Sequence, residues 1–307
     1  MRKPQVQASY RFIFVLLIIF FGFSFTASSD TLTIGTISSE PVGEIKTFTP
    51  FANYLAEKLG GDGIDEVKVV IAPDIQQMAK MLKQEKVDLF IDSSITASII
   101  NKLSGSQFML RRWKKGREKY RSVIFVAENS NIEQLDDLRG KIIAFEEPFS
   151  TSGYVLPALV ILQSENELHQ LDSLGSLPVA DTVGFIMAYD NETQMVWLER
   201  GRVAAAAMSE NDYREYAQSV LIPMRVLHKT PYVPYHVVAH RAGLEQHLIE
   251  RIKQVLKVAH DDKQGVEVLR GFEKTAKFDE IPDDLLLEIK KLEPFVGRVA
   301  INKGVGQ

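Results

Sequence analysis

The chain has no cysteine among its 307 residues, so it can build neither a disulfide framework nor a lipid-modified N-terminal cysteine, and it lacks a thiol nucleophile. It also lacks a long apolar run. The most hydrophobic stretch, Phe12–Phe25, is 14 residues, whereas a membrane-spanning helix needs roughly 20. Positive charge is in deficit, with 36 Lys and Arg against 40 Asp and Glu for a formal charge of -4. That balance argues against nucleic acid or an anionic membrane surface as a partner. What remains, 45% hydrophobic and 25% charged residues, is the composition of a globular protein with ample material for a packed core.

The N-terminus departs from that average. Arg2, Lys3 and Arg11 precede the apolar run, and small residues in "TASSD" follow it, the pattern of an export signal cleaved after Ser29. An uncleaved anchor is the alternative. In either case the body of the protein is expected outside the cytoplasm, in the periplasm. Cleavage removes three cations and no acids, so the mature charge becomes -4 - 3 = -7.

From Thr31 onward strand and helix patterns alternate. "TLTIGTI", "EVKVVIA" and "VDLFI" read as strands, "FTPFANYLAEKLG" and "IQQMAKMLKQEK" as amphipathic helices. A second alternating run follows through "TVGFIMA", "ETQMVWLERG", "VAAAAM", "ENDYREYAQ" and "MRVLHK", and the tail after Leu244 is helical. This order calls for mostly parallel sheets covered by helices. Two extended segments, "YRSVIFVAENS" and "YHVVAHR", stand where two hinge strands would join two lobes. Ligands in such sheets bind where strand ends feed helix starts.

"FEEPFSTSGYVLPALVIL", Phe145–Leu162, occupies such a place. One hydroxyl would suffice to cap the helix. Ser150, Thr151 and Ser152 supply three, followed by Gly153, and a helix start with several hydroxyl donors is also a seat for an oxyanion.

The rival constellations are weaker. His236 and His240 share a strand face but have no third metal ligand nearby in sequence. "LRRWKKGREKY", Leu110–Tyr120, could mimic a nucleic-acid patch, but in an acidic exported protein it reads as a solvated loop or a docking surface for a membrane partner. No G-x-S-x-G elbow or convincing His-acid pair accompanies the hydroxyls, so no enzyme, metal site or cofactor is expected.

The segment "YRSVIFVAENSNIEQLDDLRGKIIAFEEPFSTSGYVLPALVIL" resembles the central signature of the periplasmic substrate-binding proteins of phosphate, phosphite and phosphonate ABC importers. "TLTIGTISSEP", "FTPFANYLAEKLG" and "VVIAPD" resemble its N-terminal part. The likeness runs to about residue 275. It implies an α/β, two-lobed periplasmic binding protein fold of type II, with mixed, mostly parallel sheets joined by two hinge strands. The boundaries expected are a signal at 1–29, lobe one at 30–117, a hinge strand and lobe two at 118–232, and a return strand, lobe one again and C-terminal helices at 233–307. It also implies a monomer that hands a small oxyanion to an ABC permease, or reports it to a membrane sensor.

By position, the family's phosphoryl-holding role falls on Ser150, Thr151 and Ser152, and Glu192 matches an acid that faces a ligand amino group in phosphonate-binding members. The family's first-lobe tyrosines are replaced by Ile75 and Asp92, and its second-lobe aspartate by Ala204. Asp92 beside a dianion would be repelled. It must cap the following helix from outside the pocket, hold a proton, or face a cationic part of the ligand. If Asp92 and Glu192 both face the cleft, a zwitterion suits it; if neither does, Ser39, Ser93 and Ser94 become the first-lobe donors.

Overall fold

The computed structural model describes residues 30–219 and 221–301; the expected export signal at 1–29 lies outside them. The chain begins with β1 (Asp30–Ile37), α1 (Pro41–Leu59), β2 (Ile64–Ala72), α2 (Ile75–Lys83), β3 (Leu89–Ser93), α3 (Ser94–Ser104) and β4 (Gln107–Arg112), and leaves through β5 (Lys119–Tyr120). A second unit follows as β6 (Ser122–Ala127), β7 (Ile142–Phe145), α4 (Leu156–Gln163), β8 (Glu167–Gln170), β9 (Thr182–Met187), α5 (Asn191–Glu199), β10 (Ala205–Ser209), α6 (Glu210–Tyr216) and β11 (Met224–Lys229). The chain then returns through β12 (Val233–Pro234) to β13 (His236–His240), α7 (Gln246–Val258), α8 (Lys263–Gly271), β14 (Phe278–Asp279) and α9 (Asp283–Ile301).

Two mixed six-stranded sheets result, in the orders β14-β4-β13-β3-β1-β2 and β11-β6-β10-β7-β9-β8. Parallel pairing dominates one side of each: β1 with β2 and β3, and β7 with β9 and β10. β13 and β6 lie antiparallel to both their neighbours. Between the sheets, β5 and β12 pair antiparallel, with Val233 opposite Tyr120 and Pro234 opposite Lys119. The expected two-lobed α/β architecture is therefore present. The crossing is shorter than the sequence suggests: "YRSVIFVAENS" and "YHVVAHR" are mostly sheet strands β6 and β13, and the two-residue pair at their starts makes the connection.

The lobes also share a core. α4 is apolar on nearly every side and cannot present a wet face, and α3 buries its first seven residues, Ser94 to Ile100, hydroxyls included. Ile95, Ile99 and Ile100 of α3 join Leu156 and Leu159 of α4, and Ile289 and Leu292 of α9, in one buried cluster that reaches both sheets. Each lobe has its own outer core as well. In the first lobe it centres on Phe51, Phe272 and Phe278; in the second, on Phe125, Leu198 and Met208.

One expectation fails in the segment 110–120. The basic cluster read as a solvated loop begins inside β4, where Arg111 and Arg112 are buried. Arg112 is fully enclosed because its charge is met from several directions. It donates to the Thr275 hydroxyl at 2.9 Å, the Phe272 carbonyl at 3.0 Å and the Glu273 carboxylate at 3.0 Å, and its guanidinium lies 3.6 Å from the Phe272 ring centre. A buried ion without such partners would cost several kcal/mol.

Phe272 carries this arrangement from below, stacked on Phe51 at 4.3 Å and edge-on to Phe48 at 4.7 Å. Phe272→Ala removes three ring contacts at once and should lower the unfolding free energy by about 3–5 kcal/mol, read from urea denaturation. A midpoint unchanged from the parent protein would contradict this account of the first-lobe core.

Candidate functional site

A cavity of about 440 Å³ lies between the sheets, at the carboxyl ends of β1, β3 and β7. On the first-lobe side it meets Thr36, Ile37, Asp92, Ser93, Lys114 and His236; on the second-lobe side, Glu146, Glu147, Phe149 to Ser152, Asn191 and Asp212. Tyr120 and Tyr235 form the hinge wall, stacked at 4.3 Å. Burial drives the ionisation of both phenols well above the usual range, so they are neutral hydroxyl groups.

The hydroxyl loop enters this cavity as a π-helical turn, Thr151–Val155, that feeds α4. Ser150 caps it, accepting from the Gly153 N–H at 3.0 Å and donating to the Glu146 carboxylate at 2.7 Å. Thr151 is buried and points across the lobe boundary, donating to the Ser93 hydroxyl at 2.9 Å, with the Thr96 N–H at 3.3 Å. The Ser152 carbonyl accepts from the Ser122 hydroxyl at 2.6 Å, while its side chain lines the cavity. Among the described residues, no protein acceptor meets the N–H groups of Thr151 and Ser152. The turn therefore holds two open amide donors and a serine hydroxyl at a helix start, which is the donor set of an anion seat.

Gly153 has a different reason from the one its neighbours suggest. A Cβ there would stand 2.3 Å from Oε2 and 2.4 Å from Cβ of Glu146. The missing side chain makes room for a buried carboxylate. Glu146 was not singled out in the sequence, because one acid of an adjacent pair gives no sign of which points inward. Burial raises its pKa, aided by Glu147 and Asp212, against the lowering hydrogen bond from Ser150.

Asp92 lines the cavity, but all its acceptor capacity is directed at the protein. One oxygen takes the Thr36 hydroxyl at 3.1 Å and the Ile37 N–H at 3.2 Å; the other takes the Ser93 N–H at 2.6 Å and hydroxyl at 3.0 Å. It straps the ends of β1 and β3 together. Burial pushes its pKa up, opposed by these hydrogen bonds.

The remaining positions named from sequence scatter. Ser93 is at the cavity wall, whereas Ser94 donates to the Pro234 carbonyl at 2.7 Å and holds the return strand. Ser39 donates to Glu147 across the mouth of the cleft. Glu192 is exposed at the start of α5 and does not line the cavity; its neighbour Asn191 does. The sequence also missed Lys114 and His236 as wall residues. Lys114 pairs with Glu273 at 2.7 Å. Although burial acts to raise its pKa, Glu273 is held below the ordinary carboxylate range by Lys114 and Arg112. His236 is kept neutral by burial and by the nearby cations Lys114, Arg112 and Lys115.

The electrostatic balance of the cavity is acidic. Glu44, Glu215 and Glu273 join Asp92, Glu146, Glu147 and Asp212 on its walls, against Lys114 and Lys115. Glu44 and Glu147 also titrate high because of burial. Phe48, Phe149 and Tyr216 add aromatic faces. Such walls favour a ligand with a positive part, while the open amides of the turn favour a negative one. Among the described residues, no group of three or more His, Cys, Asp or Glu is placed to hold a metal ion, and no helix is long and apolar enough to cross a membrane.

Comparison with known proteins agrees with this architecture. XAC2383 from Xanthomonas citri, solved bound to ATP, superposes with a TM-score of 0.81 at 25% identity, over 90% of this chain and all of that one (100%). PhnD1 from Prochlorococcus marinus in complex with methylphosphonate gives a TM-score of 0.63 at 18% identity, over 89% of this chain and 98% of that one. A binding-protein component of an ABC phosphonate transporter from Pseudomonas aeruginosa gives 0.63 at 19%, covering 91% of each. Residues 34–286 match the family described as ABC transporter, phosphonate, periplasmic substrate-binding protein. With its two lobes, interlobe cavity and hydroxyl-rich turn, the chain belongs to that phosphonate-binding family of periplasmic solute-binding proteins.

Proposed function

We propose that this protein captures a small zwitterion, a phosphonate-like oxyanion bearing a cationic group, in the interlobe cleft and delivers it to an ABC importer. The observation that carries the reading is the turn Ser150–Ser152, which has open amides at Thr151 and Ser152 and lines a cavity otherwise rich in carboxylates. The oxyanion would seat on Thr151 and Ser152, with Lys114 on the opposite wall. The cation would lie toward Asp212, Glu215 and the Tyr216 ring. The similar structures support an anionic partner, since they were solved with methylphosphonate, chloride and ATP. In this reading residues 30–117 together with those after 233 form one lobe, and residues 118–232 the other.

Closure follows from contacts that already cross the boundary. Thr96 donates to the Phe149 carbonyl at 2.6 Å, Thr151 to Ser93, and Ser39 to Glu147. A ligand shifts the balance toward this closed arrangement only by preferring it over the open one. The cavity is roomy for the simplest candidates. A five-heavy-atom phosphonate displaces about four or five waters' worth of volume, at roughly 30 Å³ each, so a longer aminoalkyl compound fills the space better.

A thermal-shift panel of phosphate, phosphite, methylphosphonate, 2-aminoethylphosphonate and sulfate tests the ligand class. A compound at about 100 times its Kd adds roughly 2.7 kcal/mol of stability, and the aminoalkylphosphonate is expected to give the largest shift. Thr151→Ala with Ser152→Ala should weaken that compound at least tenfold; unchanged affinity would sink the assignment.

The acid beside the seat sets the pH dependence. Glu146 packs under Ser150 and Gly153, with Glu147, Asp212 and Lys114 as its charged neighbours. Its pKa is already raised, and an oxyanion would raise it further, so binding takes up a proton. Affinity should therefore increase as pH falls from about 8 to about 5, and Glu146→Gln should bind tightly at the higher pH with a flatter profile.

The same residue acts on stability with a defined sign. A carboxylic acid with a raised folded-state pKa stabilises the fold fully only below its unfolded value, and loses that contribution as pH rises through the folded one. Glu146→Gln should then melt above the parent at neutral pH, the two curves converging below about pH 4.3. A parent that melts higher at neutral pH would show that the carboxylate is not strained by burial.

A further inference from the structure

A second cavity, of about 340 Å³, lies on the outer side of the hinge. Its charge is opposite to that of the cleft. Arg117, Lys119, Arg121 and Arg214 line it, against Glu118 and Glu210. The two acids are already engaged. Glu118 faces the buried Arg111 at 3.3 Å. Glu210 is buried and receives three cations: Arg121 through two bonds of 2.8 and 3.0 Å, Arg214 at 3.1 Å and Lys229 at 3.1 Å. One carboxylate cannot neutralise three cations, so positive charge is left over around it.

The remaining cations have still less to satisfy them. Among the described residues, the exposed Arg117 side chain makes no hydrogen bond or ion pair, and Lys119 reaches Glu118 only at 4.0 Å. Arg214 keeps 64% of its side chain exposed despite its bond to Glu210. The aromatic rings here already serve the cations: Tyr232 lies under Arg121 at 4.6 Å and Lys119 at 5.4 Å, and Trp113 is flanked by Lys277 at 4.3 Å and Arg111 at 5.3 Å. With these two rings engaged, and the third, Tyr120, stacked on Tyr235, nothing invites a stacked base. A compact, multiply charged anion would meet Arg117, Lys119 and Arg214 together, and guanidinium forks suit phosphate oxygens well.

The geometry points to a second anion site behind the hinge, for a small polyvalent oxyanion of the pyrophosphate type, held by Arg117, Lys119 and Arg214. It is separate from the cleft. The segment 114–121 and the start of α6 form the wall between the two cavities, with Lys115 and Asp212 facing the cleft, and Arg117 and Asn211 facing outward. The inference does not depend on which ligand the cleft takes.

Trp113 lines this second cavity and not the cleft, and the only other tryptophan is Trp197. In a Trp197→Phe background, pyrophosphate titration should quench or shift Trp113 fluorescence saturably, more weakly as NaCl screens the site. Arg117→Ser with Arg214→Ser should raise the dissociation constant at least tenfold. If the pair unsettles Glu210, Arg117→Ser alone, at an exposed and unpaired position, should raise it several-fold. Thr151→Ala with Ser152→Ala in the cleft should leave the titration unchanged. No saturable response, or one that survives the arginine changes, overturns the site. A response lost only in the cleft variant overturns it too, by assigning the probe to the cleft.

Discussion

The two sheets are held at their working distance by an apolar wedge, and the cleft depends on it. α4 is too hydrophobic to face water, and α3 packs Ile95, Ile99 and Ile100 against it between the layers, with α9 closing the cluster through Ile289 and Leu292. Two-residue strands at β5 and β12 could not by themselves fix an angle between lobes. In this arrangement the wedge adds the close packing across the boundary that they lack. It also delivers the chemistry: the start of α3 brings Ser93 and Thr96, and the turn leading into α4 brings Thr151, to one point across the boundary. The polar contacts of the cleft are the exposed end of an apolar interface.

Against that frame the cleft is electrostatically divided. A turn with unclaimed amides sits among carboxylates, and burial drives Asp92, Glu146 and Glu147, like Glu44, toward the neutral form. Buried ionisable groups are costly unless they are paired, and each cost here has an identifiable offset. Asp92 collects four donors, Ser150 steadies Glu146, and Ser39 meets Glu147 across the mouth. On the opposite side, Arg112, Lys114 and Glu273 form a compensated group around neutral His236.

Local signals in the chain carried the alternation of elements and the hydroxyl turn, because both depend on residues close in sequence. The strands β1, β2 and β3 and the helices between them follow from periodicity, and Ser150–Gly153 falls at a strand-to-helix junction as expected. Features set by distant partners were not legible. The partners of Arg112 lie about 160 residues onward, so a basic stretch containing a tryptophan reads as solvated. Asp92 meets Thr36 and Ile37 from more than 50 positions away. Glu192 and Asn191 differ by a single step of helix phase, set where Asp190 caps α5 through the Thr193 N–H. A motif comparison cannot resolve that step.

The position of β13 bears on how the chain assembles. This strand lies between β3 and β4 near the middle of the first sheet, yet it belongs to residues 236–240. All the other strands of that sheet except β14 precede residue 113. As the polypeptide emerges, its first hundred residues make a sheet with a gap at its centre, while the second sheet, built from residues 122–229, can close without help. Pairings that far apart in sequence form slowly and leave strand edges open in the interval. The middle of the chain therefore completes its sheet first, and the earlier part waits for its missing strand.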